Sequence, residues 1–318
     1  MLLLADGYEV QPPTFDDVEV VTEMLVATDL ADTGVSETDA DLIRDQWSSP
    51  GVDLSEDAWV VTDPNGAVVA YANVSPDGEG KVKSWGVVHP EHRGRGLGAA
   101  LLDRIEARAS ERLRGIPSAV LHTAVNDAHA AAAALVRSRG FEHVRTFRHL
   151  QIDLDGSPQD PGEPPAGIEI RGIEPERDLR RIHAIFVEAF SGEWGYRPIP
   201  FEEWIGMEVE TPSYDPSLWL LATDGDEAVG AQSGVVWGDR GWVGELGVRT
   251  PWRGRGIASA MLRRAFATFA SRGLARVMLN VDSENSTGAV RLYEGVGMRT
   301  LRAWDVYEKP IRGDRRVS

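Results

Sequence analysis

Arg253-Gly254-Arg255-Gly256 is the part of this sequence whose residue types and spacing best suit chemistry. It belongs to Gly244-Glu-Leu-Gly-Val-Arg-Thr-Pro-Trp-Arg-Gly-Arg-Gly-Ile-Ala258, which opens into an apolar-periodic run from Ser259 to Arg272. Glycine lets a backbone approach a ligand closely, and the first turn of a helix offers unpaired N–H groups at the positive end of its dipole. A strand, a tight turn and a helix in that order make a seat for a diphosphate, to which Arg253 and Arg255 can add charge-assisted hydrogen bonds. Taken alone, the stretch is equally an ordinary tight turn with surface arginines. It occurs twice, however: Val88-His-Pro-Glu-His-Arg-Gly-Arg-Gly-Leu-Gly98 has the same plan, and its helix runs from Leu97 toward Arg114.

The elements around each loop repeat in order. In the first half, Tyr8 to Gln11 reads as a strand, Thr14 to Leu30 and Asp39 to Trp47 as helices, and Ala58–Thr62 with Ala67–Ser75 as a hairpin turned by Asn65-Gly66. Lys81 to Val88 is the strand that feeds the loop. Beyond the loop helix come a strand at Ser118–Val125, a helix at Ala128–Ser138 stopped by Gly140, and two closing strands, Phe141–Val144 and Thr146–Ile152. A Pro/Gly-rich polar stretch, residues 155–167, has linker composition and divides the chain into domains 1–154 and 168–318. The second half then repeats the pattern: strand Ile168–Ile173, helices Asp178–Ala189 and Pro200–Val209, hairpin Leu218–Thr223 with Ala228–Trp237, and feeder strand Trp242–Val248. Strand Arg276–Val281, a helix near Thr287–Gly295 and closing strands around Arg299–Tyr307 complete it. Val88 superposes on Val248 at an offset of 160 residues, so the repeat is a whole domain.

Composition narrows the function. At 318 residues the chain fits two domains, each able to bury a core. No apolar run reaches the ~18 residues of a membrane span. Met1-Leu-Leu-Leu-Ala5 is too short for a signal-peptide core, so a cytoplasmic setting is expected. Zero cysteines exclude disulfides, thiolate metal sites and a cysteine nucleophile. A net charge of −17 opposes nucleic-acid binding; it serves solubility, or favours a cationic amine as substrate. His89 and His92 stand together before the first loop without further ligands, and no metal is expected. A dinucleotide site fits poorly, because that fingerprint follows the first strand of a βαβ unit and neither loop does.

Val248-x-x-x-x-Arg253-Gly-x-Gly256-x-Ala258 and Val88-x-x-x-x-Arg93-Gly-x-Gly96-x-Gly98 resemble the acyl-CoA signature of the GCN5-related N-acetyltransferases. The resemblance covers both halves nearly end to end. It implies two tandem α/β folds, each a mixed, mostly antiparallel sheet flanked by helices, and acetyl-CoA as the acyl donor. The implied coenzyme contacts are Val248, Arg253, Gly254, Arg255, Gly256, Ile257 and Ala258, with Val88, Arg93, Gly94, Arg95, Gly96, Leu97 and Gly98 in the first copy. A small-molecule primary amine is the implied acceptor, and the chain would act as a monomer or homodimer.

The same resemblance suggests which copy reacts. Asn285-x-x-Gly-Ala-x-x-Leu-Tyr293-Glu-x-x-Gly297-Met298 is similar to the family's late helix, making Tyr293 the implied general acid and Asn285 a contact to the pantetheine arm. Counting back from Gly140 puts Val136 at the matching place in the first copy. Glu245, three residues before Val248, is the implied base, with Trp85 as its counterpart. Residues three apart on a strand face opposite sides unless a bulge intervenes, so Glu188, Glu193 and Glu202 stay open as alternatives. Glu188, Glu193, Trp194 and Tyr196 belong to an acid- and aromatic-rich segment that either stacks a cationic acceptor or pins two helices to the sheet. The expectation is an active C-terminal copy and a degenerate N-terminal one. The rival from another class is an acyl-CoA-binding module without turnover.

Overall fold

The computed structural model describes residues 7–311 except 35, 37, 79, 155–158 and 285–287. In chain order the first elements are β1 (Glu9–Gln11), α1 (Val18–Thr33), α2 (Ala40–Ser48), α3 (Leu54–Asp57), β2 (Ala58–Thr62), β3 (Val68–Pro76), β4 (Lys81–Val88), α4 (Leu97–Arg112), β5 (Val120–Asn126), α5 (Ala130–Ser138) and β6 (Glu142–Asp153). Then come β7 (Ile168–Gly172), α6 (Pro175–Phe190), α7 (Phe201–Glu208), β8 (Leu220–Asp224), β9 (Glu227–Trp237), β10 (Arg240–Val248), α8 (Ile257–Ser271), β11 (Arg276–Asp282), α9 (Ala289–Gly295) and β12 (Arg299–Pro310).

Contacts divide the chain into two compact units, residues 1–146 with 304–318, and residues 147–303. This differs from the 1–154 and 168–318 division read from the sequence. The two closing strands expected in each half are one long strand each, β6 and β12, and each runs from one unit into the other. Residues 155–158 of the expected linker lie outside the described residues.

In the first unit the sheet runs β1-β2-β3-β4-β5 and closes with the Trp304–Pro310 part of β12, antiparallel to β5. Alternation along the strands serves two faces. Val60 and Tyr71 pack with Val21, Leu25, Ile43 and Trp47 of α1 and α2. Their neighbours Val61, Ala70 and Ala72 join a separate core with Leu97, Leu101 and Ile105 of α4 and with Tyr307.

The second unit has the same plan: β7-β8-β9-β10-β11, closed by the Phe147–Asp153 part of β6 antiparallel to β11. Its core joins Ile182, Ile185 and Phe186 of α6 to Met261, Leu262 and Phe269 of α8 across the sheet, and takes in Leu150 and Leu154.

In each unit one parallel pair parts partway along. β4 pairs with β5 only over Lys81–Ser84, and β10 with β11 only over Arg240–Trp242. Beyond those points the strands no longer bond to each other, which opens a cleft at the C-terminal ends of the feeder strands.

Candidate active site

Each cleft ends at a glycine loop. Gly254 and Gly256 have φ of +76° and +82°, and Gly94 and Gly96 +75° and +82°, a left-handed backbone that favours glycine. Gly256 caps α8 and Gly96 caps α4, so both helices start at the cleft with their first N–H groups turned to it. A Cβ at Gly254 would meet nothing within 4 Å, and one at Gly256 only Pro165 at 3.8 Å. The space over the loop is open, as a seat for a coenzyme diphosphate requires.

The loop arginines are hydrogen-bonded within the protein. Arg253 donates through Nε to the Val248 carbonyl at 3.0 Å and through Nη2 to the Ala189 carbonyl at 3.1 Å. Arg255 points to Asp224, Nη1 to Oδ2 at 3.3 Å, and does not line the cleft. In the first unit Arg93 repeats the brace to Val88 and forks onto Asp32 at 2.7 and 2.5 Å, while Arg95 reaches Tyr8 at 2.5 Å. These guanidinium groups brace the loops.

The second unit's cleft holds a cavity of about 530 Å³. Val248, Arg253, Gly254, Gly256, Ile257 and Ala258 line one side of it, and Asn280 to Asp282 of β11 line another. Glu193, Trp194 and Tyr196 face it from the segment after α6. Glu245 and Tyr293 open into the same space. Phe147 of β6 also lines it and packs on Trp194 with ring centres 6.3 Å apart. Nothing in the sequence marked Phe147, because only the pairing of β6 with β11 brings it there. Asn285 lies outside the described residues.

Two of the alternative carboxylates are engaged away from the cavity. Glu188 pairs with Arg249 at 3.1 Å and accepts from the Thr250 N–H at 3.3 Å. Glu202 is exposed and pairs with Arg180 at 3.0 Å. In the aromatic segment Trp194 and Tyr196 line the cavity, whereas Trp204 is buried in the core.

Glu245 reaches the cavity because β10 is bulged. Val243 pairs with Gly234 and Leu246 with Gln232, so Gly244 and Glu245 stand together opposite Ser233. The Glu245 N–H donates to Ser233 Oγ at 2.8 Å. A Cβ at position 244 would lie 2.7 Å from that oxygen, so the bulge needs glycine there. The residue is half-buried, and its Oε2 is shielded from solvent without a hydrogen-bond partner. Burial, reinforced by the charge of Glu208, pushes its carboxyl up to about 8. The Trp204 indole N–H acts in the opposite direction, although it makes no hydrogen bond of normal geometry. Glu208 escaped the sequence reading, since its place at the end of α7 carries no motif.

Tyr293 lies on α9 and is 9 % exposed. Burial, and then the charge of Glu193, pushes its phenol up to about 12, so it keeps its proton at neutral pH. Tyr196 is likewise pushed up to about 12, by burial and then by Glu245.

The first unit's cavity, about 670 Å³, is lined by Val88, Arg93, Gly94, Gly96, Leu97 and Gly98. Trp85 and Val136 face it where the second unit has Glu245 and Tyr293. The β3–β4 ladder runs from Val82 to Val88 without a register shift, so this copy lacks the bulge.

A splayed mixed sheet with a glycine seat at the head of a helix, built twice, is the architecture of a tandem acyl-CoA N-acyltransferase. The acetyltransferase (GNAT) family profile matches residues 179–298, and an acetyltransferase (GNAT) domain profile matches residues 55–143. A mycothiol acetyltransferase of Parafrankia sp. (strain EAN1pec) is 31% identical over 333 residues, spanning 93% of this chain and 96% of the relative. Among solved structures, a GCN5-related N-acetyltransferase from Sphaerobacter thermophilus superposes with a TM-score of 0.84 at 33% identity, covering 98% of both chains. A tandem GNAT protein from the clavulanic acid biosynthesis pathway shares the fold, with a TM-score of 0.72 at 17% identity over 96% of this chain and 99% of its own. The chain belongs to the GNAT acetyltransferase family and is an acyl-CoA-dependent N-acetyltransferase. Among the described residues no helix is long and apolar enough to cross a membrane.

Proposed function

We propose that this protein moves an acetyl group from acetyl-CoA to the primary amine of a small molecule, and that the second unit alone performs the transfer. The observation that carries this reading is the meeting of a bulge-borne Glu245 and a buried Tyr293 in one cavity behind a glycine seat, against Trp85 and Val136 in the first unit. Bound acetyl-CoA supplies a thioester carbonyl to be attacked by the amine. The α8 N-terminus and the backbone of Gly254 and Gly256 hold its diphosphate. Glu245 takes the proton that the amine must lose, a task suited to a carboxyl at about 8, because a base works best near the operating pH. Tyr293 keeps its proton until the departing thiolate needs it. Backbone N–H groups of β10 beside the cleft polarise the carbonyl.

Glu193 puts negative charge beside Trp194 and Tyr196, and Glu245 adds to it once ionised, which favours an acceptor that arrives as a cation and has a face to stack. The similarity to mycothiol acetyltransferases makes their reaction the first to test, with antibiotic-modifying acetylation as the alternative. The experiment is thiol release from acetyl-CoA over a panel of primary amines that includes the mycothiol acetyltransferase acceptor. Turnover lost in Tyr293→Phe but kept in Gly94→Val supports the assignment. Coenzyme A binding without thiol release on any amine would identify an acyl-CoA-binding module instead.

A further inference from the structure

The turn before the first glycine loop, His89-Pro90-Glu91-His92, differs in kind from its counterpart Arg249-Thr250-Pro251-Trp252. Pro90–His92 is a single 3-10 turn, closed by the His92 N–H on the His89 carbonyl at 2.9 Å. Side chains at i and i+3 eclipse in such a turn, so the two imidazoles meet, with ring centres 5.9 Å apart. From sequence these histidines lack a third ligand; the turn adds Glu91. One ligand atom from each of His89, Glu91 and His92 lies within 4.8 Å of the other two.

Three further observations point the same way. His89 Nδ1 is shielded from solvent and has no hydrogen-bond partner, a buried ring nitrogen whose lone pair a bound cation would satisfy. His92 Nδ1 is hydrogen-bonded to the Tyr8 hydroxyl at 2.8 Å, and Tyr8 is in turn fixed by Arg95 at 2.5 Å. In the tautomer whose Nδ1–H donates to Tyr8, Nε2 carries the lone pair that can ligate, which is how a second group commonly orients a metal-binding imidazole. Asp63 lies close enough for His92 to act on its carboxyl and offsets Arg95, while Asp32, on which His89 acts, is matched by Arg93.

We infer that His89, Glu91 and His92 form a site for a divalent transition ion of the Zn²⁺ class at the rim of the first unit's cavity. Two imidazoles and a carboxylate are borderline donors suited to Zn²⁺, Co²⁺ or Ni²⁺ rather than to Mg²⁺ or Ca²⁺. A tetrahedral centre holds its ligand atoms ~3.4 Å apart, so binding an ion would draw the three side chains together.

The test is calorimetric titration of the full chain, stripped with chelator, with Zn²⁺ alone. One equivalent per chain is expected, with affinity lowered more than ~10-fold in His92→Ala and Glu91→Gln and roughly tenfold in Tyr8→Phe. Substitution with Co²⁺ should give d–d absorption bands that the Glu91→Gln protein lacks. Glu91 is exposed, so that variant keeps its fold even if His89→Ala does not. His143→Ala, which changes a histidine outside the trio, should leave binding intact. Absence of stoichiometric binding, or binding that all three ligand variants leave unchanged, would overturn the site.

Discussion

Glu245 must be ionised before it can accept a proton, and burial makes that harder. With its carboxyl at about 8, kcat/KM should rise with pH through that value and level off above it. Glu245→Gln should lower kcat by ~10²-fold and abolish this limb, and Glu208→Gln should move the limb to lower pH by removing the neighbouring charge. A limb that persisted in the Glu245→Gln protein would move the base to Glu193 or to ordered water. Stability carries the same signature. Glu245 holds its proton to a higher pH when folded than the ordinary 4.5, so the native state binds the extra proton between those values. Stability therefore falls as pH rises across that window, and Glu245→Gln should flatten the fall in denaturant melts at about pH 5 and about pH 9. Tyr293→Phe keeps the ring in the core and removes only the hydroxyl. Its kcat should drop by ~10²-fold with acetyl-CoA affinity little changed, and an unchanged kcat under chemistry-limited conditions would remove its assigned role.

At the scale of the element, the loop works through its backbone. A valine at Gly254 or Gly256 forces a branched residue into positive φ, at a cost of ~1–3 kcal/mol, and puts methyl groups into the open space above the helix start. Acetyl-CoA affinity, measured by calorimetry, should fall at least ~10-fold, since a lost 1.4 kcal/mol is a factor of ten. Arg255→Ala should matter less, because that guanidinium is engaged by Asp224. The same glycine changes at positions 94 and 96 should leave turnover nearly intact, because Trp85 and Val136 stand in that cavity in place of the carboxyl of Glu245 and the hydroxyl of Tyr293. Lost turnover in those variants, with the second unit still binding acetyl-CoA, would contradict the division of labour.

For the whole molecule, the exchange of closing strands decides what can be cut. Residues 147–303 contain every strand of the second unit's sheet, including the β6 segment that pairs with β11 and carries Phe147, Leu150 and Leu154. A fragment of residues 147–303 should therefore fold and bind acetyl-CoA. Residues 168–318, the boundary that composition suggests, lack that strand and leave one edge of β11 unpaired. That fragment should be less stable, aggregate, or fail to fold, as read by circular dichroism and thermal melting. Equal stability of the two fragments would mean that the exchanged strand contributes little.

Much of this protein is written locally. The strand Lys81–Val88, the Asn65-Gly66 hairpin, both glycine loops and the helices that follow them depend on φ preferences, periodicity and capping, which act within a few residues of chain. The duplication and the contrast of Tyr293 with Val136 were legible for the same reason, since spacing to a following glycine survives without knowledge of packing. What sequence left open depended on contacts between distant residues. Whether Glu245 faces the cavity was decided by a bulge opposite Ser233 on another strand. The occupation of Arg255 by Asp224 and the third ligand beside His89 and His92 needed the folded turn and its neighbours. The alternating run after Gly140 says strand but not whose, because a β-strand by itself satisfies none of its backbone groups; register and partner come from the sheet it joins.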